Sequence, residues 1–147
     1  MTKESTWDEC RATHTSLTIR PDIAKAKSLL DTIMGRNNYL TTQTITEESA
    51  NYIFEGYYAS AVELTHVILL VHGYKVLNHI YVGYYFRDVL KREDIFRLFD
   101  ESRLKRNALV YEGRTMKFEI AKKAIETCTK LISELQNMTQ MLLKKEE

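Results

Sequence analysis

The sequence predicts an all-α protein built as an antiparallel bundle of four to five helices. Apolar residues recur every three or four positions almost throughout, and no segment alternates apolar and polar as a half-buried strand does. Five glycines and a single proline leave few places where a helix must break. The 147 residues have the length of one domain, which can bury about 70% of its unfolded surface and needs neither a disulfide nor a metal to fold.

Five helices follow in order. "RPDIAKAKSLLDTIM" places Pro21 in a first-turn position and is expected to end near Gly35. "TITEESANYIFEGYYASAVELTHVILLVHG" is expected to open on a Thr44/Glu47 capping box and to stop at Gly73. A shorter helix, "HIYVGYYFRDVLK", precedes a fourth, "EDIFRLFDESRLKRNALVY", which ends near Gly113. The fifth runs from Thr115 to about Leu143, with Ile120, Ala124, Cys128, Leu131, Leu135, Met138 and Leu142 on one stripe. Residues 21–143 form the single bundle in this reading. Residues 1–20 are a poorly determined amino-terminal arm, part of which Trp7 is expected to anchor.

Two faces do not fit a plain bundle. The second half of the second helix is apolar all round, with Val62, Val67, Leu69 and Leu70 outside the stripe of Ile53, Tyr57, Ala61, Leu64 and Ile68. A helix apolar on every side is buried on every side, which points to a second subunit and a homodimer. The third helix carries Tyr81, Tyr84 and Tyr85 around one face, opposite Val82, Phe86 and Leu90. Such tyrosines suit a bundle edge, a protein interface or a surface on which bases stack.

Composition narrows the class. Cys10 and Cys128 have no paired spacing and read as free thiols of a reducing cytosol. The amino terminus has no uninterrupted apolar stretch of the secretory kind, and the run "AVELTHVILLV" is about half a membrane span and contains Glu63 and His66. A cytoplasmic protein with no membrane partner is expected. The net charge of +1 gives no global basic field, but residues 87–123 hold eleven Lys/Arg against seven Asp/Glu. That local excess allows a phosphate contact without demanding one.

One residue stands out. At about 100° per residue, Ile95, Leu98, Phe99, Leu109 and Val110 share a sector of the fourth helix, and Arg106 points into its centre. Beside that sector Arg103, Asn107 and Tyr111 stack at four-residue intervals. Arginine keeps its charge, so the position requires an ion-pair partner, a wet crevice or a subunit interface. An ion-paired or snorkelling arginine is the plain reading; a phosphate ligand flanked by a positioning amide is the functional one.

The stretch "RNALVYEG" resembles the motif of the HEPN family of small helical domains, many of them RNA-cleaving toxins encoded beside a minimal nucleotidyltransferase. That motif is Arg, often a polar residue next, and His four to six residues on; Arg106 and Asn107 match it, and Tyr111 stands in the histidine's place. The resemblance extends through "EGYYASAVELTHVILLVHGYK", "LNHIYVGYYF" and "DIFRLFDESRLKRN" to the last helix, covering about residues 20–137. It implies a HEPN-like bundle that binds RNA or a nucleotide, with two copies of Arg106 facing one cleft of a homodimer. Arg106, Asn107 and Tyr111 are the candidate catalytic set, and Arg103, Arg106, Arg114 and His79 the candidate phosphate contacts.

Tyr111 is the departure. Active relatives use the histidine to handle protons during metal-independent attack by the RNA 2′-hydroxyl, a task that suits a group titrating near neutrality. A phenol is a poor base at pH 7. The family includes a branch with tyrosine at this position, so weak ribonuclease activity is the most the resemblance implies. The alternative is a non-catalytic interaction module paired with a minimal nucleotidyltransferase, as in toxin–antitoxin systems. The nucleotidyl-accepting tyrosine of such systems has no counterpart, since Gly113 stands there.

The remaining chemistry is thin. Glu63-x-x-His66 has the spacing of a di-iron ligand pair, but the second such pair is missing, so no metal or cofactor is expected. His72 reads as a core histidine near a helix end. His79 opens the third helix and is the candidate substitute proton carrier beside Arg106.

Overall fold

A computed structural model describes residues 4–145 as a mainly helical fold: six helices, plus one two-stranded ribbon that the periodicity did not announce. The helices are α1 (Trp7–Ala12), α2 (Ile23–Thr41), α3 (Ala50–His72), α4 (His79–Tyr84), α5 (Glu93–Tyr111) and α6 (Phe118–Lys145). Strands β1 (Ser16–Thr18) and β2 (Tyr74–Val76) pair antiparallel, Ser16 opposite Val76 and Thr18 opposite Tyr74. Three-residue strands are too short to show an alternating pattern. No described helix is long and apolar enough to cross a membrane.

Helix α3 is the central rod, packed against α2 on one side and α6 on another. Its Phe54, Leu64 and Ile68 are fully buried, with Phe86, Phe99, Leu131 and Leu135 around them. Val62, Val67 and Leu69 are also buried inside this one chain. The all-round apolar character of α3 is therefore satisfied intramolecularly, and α3 by itself does not call for a second subunit. Strand β2 also packs on α3, and the amino-terminal segment packs on β1 and α4. Trp7 is 3% exposed, edge-on to Tyr74 and Tyr85 at 5.3 and 4.9 Å, and its amide donates to Asp88 at 2.8 Å.

Several element ends differ from the sequence reading. Asp22, not a first-turn Pro21, caps α2 by accepting from the Lys25 amide at 3.0 Å. The helix then runs through Gly35, because the buried Asn37 and Leu40 keep it docked beyond the glycine. Ahead of α3 the reciprocal capping pair is Thr46 and Ser49, each hydroxyl accepting from the other's amide, rather than Thr44 and Glu47. Helix α6 starts at Phe118 instead of Thr115, since the buried Asn51 side chain clamps the Met116 backbone with bonds of 2.8 and 3.0 Å. Of its expected stripe, Ala124, Cys128, Leu131 and Leu135 are buried; Ala121, Ile125 and Ile132 widen that face, and Ile120 is exposed.

Gly73 ends α3 as expected, in the left-handed region at φ +86°, and a Cβ there would stand 2.9 Å from the Ile19 carbonyl. Helix α4 passes into a π-helical turn over Tyr85–Val89, closed by the Leu90 amide donating to the Tyr85 carbonyl at 3.2 Å. The extra residue in that turn drives both Tyr85 and Phe86 into the core. Tyr85 thus leaves the expected tyrosine belt, and its hydroxyl meets His72 Nδ1 at 2.6 Å.

Candidate functional site

Helices α4 and α5 frame an open groove of about 1010 Å³. The approach of α4 is set by Gly83, where a Cβ would sit 3.0 Å from the Phe96 ring of α5. The start of α4 is fixed by Asn78, whose side chain accepts from the Ile80 amide at 3.0 Å. On α5, Ile95, Phe99 and Ser102 form the buried stripe, and Arg106 continues that stripe one turn later. The core has ended by then. Arg106 lies over the Tyr58 ring, its guanidinium carbon 5.7 Å from the Tyr58 centroid and 5.4 Å from that of Tyr111. Its Nη1 donates to the Tyr111 hydroxyl at 3.3 Å.

Arg103, Arg106, Asn107 and Tyr111 from α5 and His79 from α4 all line this groove. Arg114 does not; it stands exposed in the loop after α5, with Glu112 at 3.9 Å. Val110, expected in the apolar sector, is exposed.

The two groove arginines differ in electrostatic state. Arg103 is held by Asp100 through bonds of 2.7 and 3.1 Å, which neutralise it locally. Arg106 has no carboxylate within ion-pair distance among the described residues; its contacts are a phenol and two aromatic rings. A half-buried guanidinium with hydroxyl and ring neighbours retains donors for an anion. The field of the pair is visible in its neighbours. Burial holds the His79 imidazole below its usual titration range, and Arg106 and Arg103 push it further down, so it is neutral at pH 7. Burial raises the Tyr58 hydroxyl to about 12, against the opposing pull of the same two arginines.

His66 lies behind His79, ring centroids 6.3 Å apart, and is likewise held down by burial and by His79. Glu63 turns toward α2, where it forms an ion pair with Arg36. Among the described residues no three His, Cys, Asp or Glu side chains gather as a metal-binding set.

Sequence reasoning did not anticipate Tyr58 beneath the arginine or Glu4 at the far end of the groove. Tyr58 is 48 residues before Arg106 in the chain, and only the packing of α3 on α5 brings it there. Glu4 carries no local signal at all. No protein-family model, curated protein or solved structure matches the chain.

Proposed function

We propose that the α4–α5 groove is the phosphate site of a HEPN-like domain that binds RNA or a nucleotide. The observation that supports this reading is the state of Arg106: a half-buried cation in an open groove, without a carboxylate partner among the described residues. Asn107 supplies an amide beside it, and His79 a neutral imidazole across the groove. All of these groups come from one chain. A phosphodiester oxygen would replace the Tyr111 hydroxyl as acceptor for Arg106, gaining a charge-assisted bond. The RNA-cleaving role that the resemblance implies uses a histidine where Tyr111 stands. Binding with little turnover is the expected behaviour.

The test is titration of the whole protein with a labelled single-stranded RNA at several salt concentrations. Arg106→Ala should weaken binding at least tenfold and reduce the slope of log affinity against log salt by about 0.7, the signature of one lost phosphate contact. Unchanged affinity and slope would refute the site.

A second reading, an interaction module for a protein such as a minimal nucleotidyltransferase, is favoured by one observation. Leu104, Val110 and Tyr111 expose apolar surface over the last turns of α5, with Leu104 55% and Tyr111 74% exposed. Loss of partner binding in Leu104→Glu, with RNA binding unaffected, separates it from the first.

A further inference from the structure

The groove is chemically polar along its length. At one end stand Arg106 and Arg103; the same Arg103 is close enough to Tyr84 to influence its hydroxyl. Tyr84 neighbours Tyr81, ring centroids 6.0 Å apart and planes tilted by 37°. Tyr81 in turn donates its hydroxyl to Glu4 Oε2 at 2.6 Å, and Glu4 lines the groove at this far end. Cation, aromatic wall and carboxylate therefore follow one another. Each member is fixed. Arg87 lies over the Tyr84 ring at 4.6 Å and donates to the Ser5 carbonyl at 2.7 Å, while the Trp7 amide donates to Asp88. These bonds tie residues 5–7 to the α4 end and hold Glu4 beside Tyr81.

We propose that this groove binds a guanine nucleotide, with its phosphate on Arg106, its base against the Tyr81–Tyr84 wall and its Watson–Crick edge on Glu4. The proposal rests on the reading of Arg106 as a phosphate ligand and adds the base. A carboxylate is acceptor-only and offers about four lone-pair sites. At Glu4 the Tyr81 hydroxyl takes one, and the Thr13 hydroxyl and Glu4's own amide also act on the carboxylate. Guanine alone among the four bases presents two adjacent N–H donors, N1–H and N2–H, on that edge, a match for the two oxygens of a carboxylate. Adenine and cytosine set a ring-nitrogen acceptor beside their amino group, which faces the carboxylate lone pairs unfavourably. Uracil offers one N–H between two carbonyls. Aromatic stacking holds any base without choosing among them, so Glu4 supplies the choice. The same chemistry occurs in a free nucleotide and in a guanosine within a single strand.

The experiment is calorimetric titration of the whole protein with GMP, AMP, CMP and UMP, and with uridine hexamers carrying one guanosine or none. Wild type should favour GMP over each other nucleotide by about tenfold or more, and Glu4→Ala should bring the four affinities together while leaving the common phosphate-dependent part. Tyr81→Phe keeps the ring, frees Glu4 from its tether and should blunt the preference less. Preference in mononucleotide and hexamer alike identifies the nucleotide as sufficient; preference confined to the hexamer identifies a guanosine within a strand. Equal, Arg106-dependent affinity for all four nucleotides would overturn the guanine site and leave the phosphate site standing. Absence of binding by every nucleotide and hexamer would overturn both. Because Glu4 lines the groove outside the buried core, an unchanged melting temperature in Glu4→Ala certifies that the comparison reports on binding.

Discussion

The Arg106 guanidinium carbon lies 5.7 Å from the centroid of the Tyr58 ring, and the Tyr58 hydroxyl is buried with no hydrogen-bond partner among the described residues. The ring contributes a cation–π contact to Arg106, while the hydroxyl contributes only a desolvation cost. Tyr58→Phe keeps the ring and removes the orphan. It should raise stability by about 1 kcal/mol, read as an increase in the urea midpoint at unchanged slope. A fall in stability would mean that the hydroxyl has a partner in solution.

Arg106→Ala probes the same contact from above. An arginine closing a buried ion pair would strand its partner and cost roughly 3–5 kcal/mol. Arg106 instead bonds an exposed phenol and faces an open groove. The expected cost is about 1 kcal/mol or less, mostly the lost cation–π contact. Urea unfolding of the variant decides between these values, and a loss near the upper range would make Arg106 a structural residue.

Stability should also report on the histidines. His66, His72 and His79 are all held below their usual range, each chiefly by burial. Depressed folded-state values mean that the unfolded chain binds more protons once the pH falls below about 6.5. Their contribution is complete above that pH and is lost as pH falls through it toward the folded values. The melting temperature should therefore drop between about pH 7 and pH 5, well before Asp94, held at about 2 by Arg92, is protonated. A His66→Gln, His79→Gln double variant should show a shallower decline over the same interval.

Two left-handed positions give opposite expectations. Lys91, exposed at φ +56°, carries a Cβ where glycine would be unstrained; Lys91→Gly should stabilise by about 1 kcal/mol. Gly73→Ala adds both the left-handed penalty and a 2.9 Å clash with the Ile19 carbonyl, and should cost about 2 kcal/mol or more. Paired thermal melts check both.

How far the sequence revealed the molecule follows from the range of each signal. The helical character and the Gly73 stop were legible because periodicity and a carboxyl-terminal glycine act within a few residues. Helix ends were less so. Asn51 delays α6 from a distant helix, and Asn37 with Leu40 carry α2 past Gly35 through contacts no local pattern encodes. The β1–β2 ribbon was hidden for the same reason, and with it part of the cover of α3, whereas Trp7, expected to anchor the amino-terminal arm, is buried. At the site, the α5 spacing correctly set Arg103, Arg106, Asn107 and Tyr111 on neighbouring positions, because one helix fixes them. Glu4, Tyr58 and the α4 wall reach the groove through tertiary packing alone.

Tyr111 carries the last prediction. Its hydroxyl sits 3.3 Å from Arg106 Nη1, so whatever side chain occupies position 111 stands beside the proposed phosphate. Tyr111→Phe deletes one bond at an exposed position and should leave RNA affinity within about twofold, since such a bond contributes little net energy in water. Tyr111→His places an imidazole there, able to exchange protons with the 2′-hydroxyl or the leaving oxygen. General acid–base assistance typically contributes 10²–10⁴-fold, and metal-independent RNA cleavage should rise by about that factor, with a rate that responds to pH between about 6 and 8. Gel analysis in chelator, with Arg106→Ala as the background, measures it. Rapid cleavage by the wild type that Tyr111→Phe does not slow would move the proton-transfer role to His79, the neutral imidazole already lining the groove. Failure of both wild type and Tyr111→His to bind RNA would instead leave the exposed surface of Leu104, Val110 and Tyr111 as the functional face.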